Sequence, residues 1–136
     1  MKPDGATLAS IASITAAFGT TVLLFRVQRE NDMRSKGEPV WLPWADWLLL
    51  AATICSLVLV LVPIAAGYQL QLSAAASSAS SICVAGYIPS ILAHYRIVFG
   101  GKRHGPRNNP EPLELFFVVL TAVVAAGFGW YVLHGA

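Results

Sequence analysis

Charge is what this sequence has least of. Only 12% of its 136 residues are Asp, Glu, Lys or Arg, against about a quarter in a soluble domain, while 56% are hydrophobic. So little charge cannot coat a globule in water, which excludes an ordinary cytosolic enzyme. Cysteine is scarce too. Cys55 and Cys83 are the only two and lack CxxC spacing, which excludes a disulfide scaffold and a redox dithiol. Eleven Gly and eight Pro are too few for a disordered linker protein. A net charge of +2 excludes a free nucleic-acid binder. The apolar excess, with a mean hydropathy of +0.62, has to face something other than water.

The uncharged runs say what that is. No Asp, Glu, Lys or Arg occurs in residues 5–25, 47–95 or 115–136. A membrane-spanning helix needs roughly 20 apolar residues, so the outer runs hold one span each and the middle run holds two. Gly67-Tyr68-Gln69, just after Pro63, supplies the turn that divides it. The expected architecture is one all-α membrane domain over 1–136, with spans at about 7–25, 46–66, 72–96 and 114–133 and with intervening loops 26–45 and 97–113. The runs lack the alternation of a membrane barrel, and backbone groups in hydrocarbon are satisfied within helices.

Orientation follows from basic residues in the short loops. Arg26, Arg29, Arg34 and Lys36 lie between spans one and two, and Arg96, Lys102, Arg103 and Arg107 after span three; the other side has only Lys2. Both longer loops are therefore expected in the cytoplasm and both termini outside, in a cytoplasmic membrane. Trp41, Trp44 and Trp47 fall near the inner boundary and Tyr68, Trp130 and Tyr131 near the outer one, where amphipathic rings prefer to sit. The long first apolar stretch, followed by Arg26 and Arg29, reads as a retained span rather than a cleaved leader. Lys2 stands where myristoylation needs Gly, and no prenylation signal closes the sequence. Glu30 and Arg34, four apart, suggest that the first helix continues a turn or two beyond the bilayer before Gly37 and Pro39 end it.

The four spans differ in what they offer a neighbour. Span two is bulky and apolar all round, as suits a helix facing lipid. Span one carries Ala9, Ser13, Ala17 and Thr21 at steps of four, flanked by Ala12, Ala16 and Thr20, and span four pairs Ala122 with Ala126 and Ala125 with Gly129. Small residues four apart let another helix approach closely. Span three is weakly hydrophobic, and its Ser73, Ser77, Ser80 and Ser81 share one helical face. It is expected to be the most protein-buried helix, with span two the most lipid-exposed. The serine strip suits tight packing, or the lining of a water-filled pore in an assembly of copies. Pro89 removes the hydrogen bond to the Ala85 carbonyl and is expected to kink the helix near Gly86.

Groups able to do chemistry are few. Asp46, His94 and Glu114 sit at span ends and are the candidate acid–base residues. Interface anchoring and charge balance are the plainer roles for them. No carboxylate is expected at mid-membrane, which speaks against an ion-coupled carrier. Cys55 and Cys83 are expected to pack as small apolar residues. Neither a metal set nor a cofactor motif is present, and no cofactor is expected. The loop holding Lys102, Arg103 and Arg107 suits anionic lipid head groups.

The four-span plan, with outside termini and a basic first loop, is similar in size and topology to the membrane-associated glutathione and eicosanoid enzymes, which work as trimers. That family opens its second span with Arg and His, followed by Asn and Glu. Here the segment reads Trp44-Ala-Asp46-Trp-Leu-Leu, without the glutathione-binding set. The expectation is thus a non-enzymatic small membrane protein, partnered by the bilayer and, through spans one, three and four, by itself or another membrane protein. The alternatives are a homo-oligomeric pore lined by the span-three serines and an interfacial lipid-modifying enzyme using Asp46, His94 and Glu114.

Overall fold

A computed structural model describes residues 4–37, 43–68, 70–95 and 112–135. Among them 92% are helical and none is in a strand. Four helices are long and apolar enough to cross a membrane: α1 (Gly5–Ser35), α2 (Trp44–Ala65), α3 (Leu70–His94) and α4 (Pro112–His134).

Local chemistry explains their ends. Asp4 caps α1, its carboxylate accepting from the Thr7 N–H at 2.6 Å, and this bond holds Asp4 below its ordinary carboxylate pKa. The helix runs 31 residues, longer than the expected extension of a turn or two, because nothing breaks it before Gly37, whose φ of +73° suits only glycine. Inside that extension Glu30 pairs with Arg26, one turn back, at 3.7 Å. At the end of α2, Tyr68 N–H donates to Pro63 O and Gly67 N–H to Ile64 O, with Gly67 also at φ +73°. These are the paired bonds of a Schellman cap, and they place the turn between α2 and α3 at the expected glycine. Pro112 opens α4, where its missing N–H costs nothing.

Within α2 the segment Ser56–Leu61 widens into a π-helix. Pro63 explains it, because a proline gives no N–H to the carbonyl one turn back and the bonds ahead of it shift outward. Val62 N–H accordingly reaches Leu57 O, five residues away. Pro89 lies inside α3, which continues unbroken to His94.

The helices run alternately up and down, and α3 touches all three others, most extensively α4 and α2. Two apolar clusters bind α1, α2 and α3. One joins Leu8, Ala12, Val60 and Ala76; the other centres on Ala45, Leu49 and Tyr87, with Val22 and Leu23 packed on it. Between them small residues bring backbones together. A Cβ on Gly19 would fall 2.0 Å from Thr53 Oγ1, and one on Gly86 would fall 2.1 Å from Thr121 Oγ1. Gln71 Nε2 donates to Leu133 O at 2.8 Å, tying the start of α3 to the end of α4.

One expectation about exposure is corrected. The barest helix is α4, with 11% of its apolar window buried against 33% for α2 and for α3. Bulky residues do not make α2 peripheral: Leu48, Leu49 and Val60 are buried, Val60 among Leu8, Ala12 and Ala76 and Leu49 against Tyr87. On α1 the stripe buried within this chain is Leu8, Ala12, Thr15, Ala16 and Gly19, which takes in Ala12 and Ala16 beside the expected steps-of-four series. Ser13, Ala17 and Thr21 are exposed and Ala9 half-buried, because Gly19, the smallest residue of the span, sets where α2 makes its closest approach.

Candidate functional site

An up-down bundle brings the C-terminal ends of α1 and α3 together with the N-terminal ends of α2 and α4. Helix dipoles favour cations at the first kind of end and anions at the second. The sequence meets that requirement at three of them, with His94 in the last turn of α3, Asp46 in the first turn of α2 and Glu114 in the first turn of α4; Arg26 lies more than two turns before the end of α1, at the level of Asp46. The result is a buried ionisable cluster at one end of the bundle, in which Asp46, Glu114 and Arg26 are almost fully covered.

The cluster has two halves. In the first, Arg26 Nε donates to Asp46 Oδ2 at 3.2 Å, and Arg26 and Arg29 both donate to the Tyr95 hydroxyl. The two guanidinium carbons also lie over the Tyr95 ring, 5.7 and 5.1 Å from its centroid, a cation–π arrangement. The Tyr87 phenol interacts with the Asp46 carboxyl, whose Oδ1 has no hydrogen-bond partner of good geometry among the described residues. In the second half, His94 Nδ1 meets Glu114 Oε2 at 2.7 Å, while Glu114 Oε1 accepts from the main-chain N–H of Ala45 at 3.1 Å. His94 and Tyr95 stack edge to face at 5.0 Å.

The three candidate acid–base residues thus meet at one end, though as two pairs rather than one triad. His94 engages Glu114, and Asp46 engages Arg26. Reading Arg26 only as a topology charge overlooks its partnership with Asp46. The available signal was positional: Arg26 closes the first uncharged run and Asp46 opens the second, so antiparallel spans set them at the same level. Tyr95, the last residue of the long uncharged run, gave no such signal.

Of the span-three serines, Ser73, Ser77 and Ser80 are buried inside the bundle, whereas Ser81 is exposed and bonds back to the Ser77 carbonyl. Ala125 and Gly129 are buried against α3, with the Gly129 position 3.7 Å from Ala75 O and 3.8 Å from Ala79 Cβ. Cys55 and Cys83 are free thiols. No group of three His, Cys, Asp or Glu able to hold a metal occurs among the described residues. Lys102, Arg103 and Arg107, like Lys2, Trp41 and Arg96, lie outside the described residues.

The architecture of the described residues defines a class: a helical bundle whose four helices are of membrane-crossing length and apolarity. No family model, curated protein or solved structure matches the chain.

Proposed function

We propose that this chain is a non-enzymatic membrane protein that works by helix association, with copies of itself or as a subunit beside a larger membrane partner. The observation that carries this reading is how far the ionisable cluster is engaged within itself, although Asp46 Oδ1 lacks a hydrogen-bond partner of good geometry among the described residues. Both oxygens of Glu114 are taken, by His94 and by the Ala45 N–H, and Arg26 is shared among Asp46, Glu30 and Tyr95. Groups so engaged clamp the four helices together; they are poorly placed to meet a substrate. Meanwhile α4 keeps most of its apolar surface bare, and the face of α1 bearing Ser13, Ala17 and Thr21 is uncovered, which suits a partner helix. Burial of Ser73, Ser77 and Ser80 within one chain supports packing over a pore shared by several copies. The positive-inside rule puts the cluster end in the cytoplasm and both termini outside, in a cytoplasmic membrane; anionic lipid is then the natural contact of Lys102, Arg103 and Arg107.

Native mass spectrometry of the untagged protein, released gently from its own membrane, tests this. A complex of fixed stoichiometry is expected, and replacing Ala17 and Thr21 by Leu should dissolve it while leaving the monomer folded. A chain that always emerges alone would overturn the reading.

One observation favours a second reading, an interfacial acid–base enzyme acting on lipid. Glu114 holds His94 by Nδ1, an arrangement that orients the ring and leaves Nε2 free to take a proton. His94→Ala should then abolish turnover of a lipid substrate without altering assembly; a fully active variant would remove this reading.

A further inference from the structure

Three buried hydroxyls within the bundle have no hydrogen-bond partner among the described residues: Ser56 Oγ on α2, and Ser73 and Ser80 Oγ on α3. Their residues are 0%, 0% and 1% exposed. A serine in a helix ordinarily returns its hydroxyl to the carbonyl one turn back. Ser78, Ser81 and Ser90 of α3 do so, at 2.8, 2.9 and 2.7 Å. Ser80, on the same helix, does not.

The register of α2 against α3 brings these groups together. Val60 and Ala76 share one apolar cluster, and Leu49 and Tyr87 share the other. One turn from Val60 toward Leu49 is Ser56, and one turn from Ala76 toward Tyr87 is Ser80. The two hydroxyls therefore stand at the same level of antiparallel helices, within the span. Ser73 continues the Ser80 face two turns nearer the Gly67 turn, with buried Ser77 between them. Ser56 also begins the π-segment.

We propose that this seam binds water inside the membrane, along Ser73, Ser77 and Ser80 of α3 and between Ser80 and Ser56 of α2. A buried water makes about three hydrogen bonds, and a hydroxyl can both donate and accept. The serines along this seam bring no formal charge to hold an ion, so a neutral ligand fits it. One chain forms the seam without help from a second copy, so the inference goes beyond the association reading and stands apart from a pore shared among protomers.

Water-edited solid-state NMR tests it, on protein labelled at Ser, Val and Ala in phosphatidylcholine bilayers. Magnetisation from water is expected to reach Cβ of Ser56, Ser73 and Ser80 several-fold faster than the side chains of Val60 and Ala12, which are buried in the neighbouring apolar cluster. Build-up at the three serines no faster than at Val60 overturns the proposal. In Ser80→Val the added methyl groups displace the water, so build-up at Ser56 should drop to the Val60 rate while that at exposed Ser10 holds; an unchanged rate at Ser56 also overturns it. Should that variant fail to fold, Ser80→Ala separates the cases by melting temperature. Removing a dry, unpartnered hydroxyl raises the midpoint, and removing a ligand of bound water lowers it.

Discussion

Glu114, in the first turn of α4, accepts a hydrogen bond from the main-chain N–H of Ala45, in the first turn of α2, at 3.1 Å. The residue at the N-cap of α2 is Pro43, whose side chain makes no capping bond. A carboxylate from another helix therefore does what a Ser or Asp usually does within its own helix. Glu114→Leu should cost about 3–5 kcal/mol, since it also strands His94, and should expose the Ala45 amide to hydrogen exchange. Glu114→Gln keeps an acceptor for that amide and should preserve most of its protection. Equal exchange at Ala45 in both variants would mean that the cap is not what orders the start of α2.

Arg26 and Asp46 form a buried ion pair at 3.2 Å. Removing either partner leaves a charge out of water with no counterpart, at about 3–5 kcal/mol, whereas replacing both by apolar residues is far milder. Arg26→Met and Asp46→Leu should each sharply lower the unfolding midpoint in detergent, and the double variant should recover most of the loss. Strictly additive losses in this double-mutant cycle would show that the two are not coupled.

Close helix approach makes the glycines unequal. At Gly86 a Cβ would meet Thr121 Oγ1, Cγ2 and Cβ at 2.1, 2.3 and 2.7 Å, while at Gly129 the nearest atoms are 3.7 and 3.8 Å away. Thr121 is short and branched, so it cannot swing aside. Gly86→Ala should destabilise by roughly 1–3 kcal/mol, with partial rescue by Thr121→Ala. Gly129→Ala should be neutral or gain up to about 1 kcal/mol from helix propensity. Thermal melts of the single and double variants check both.

The Asp4 cap gives a pH dependence of known sign. The Thr7 N–H holds the carboxylate below its ordinary 3.8 in the folded chain. Its contribution is therefore present above that ordinary value and is lost as pH falls through the lowered folded one. Exchange at the Thr7 amide should speed up on acidification beyond what chemical exchange alone predicts, and Asp4→Ala should remove the extra component.

The spans were legible because charge is so scarce: three uncharged runs and one glycine turn are enough to place four helices. Which face each helix buries was less legible. Ala is abundant on every side of α1, so steps of four did not single out the stripe buried within this chain. What decides the face is the pairing of Gly19 with Thr53, a contact between helices that periodicity within one helix does not contain. The same limit applied at the cluster. Asp46, His94 and Glu114 were visible as residues at span ends, but their partition into Arg26–Asp46 and His94–Glu114 pairs depends on which helices are neighbours.

The wide turn at Ser56–Leu61 has a consequence for how α2 can change length. A π-segment holds one residue more than the α-helix it interrupts, as though an insertion had been absorbed without disturbing the chain on either side. Once Pro63 is replaced by Ala, deleting a single residue between Leu57 and Leu61 should therefore let the helix close into regular α geometry, with Asp46 still facing Arg26 and the positive-φ turn at Gly67 intact. The same deletion between Leu48 and Thr53 would rotate Asp46 about 100° away from its partner.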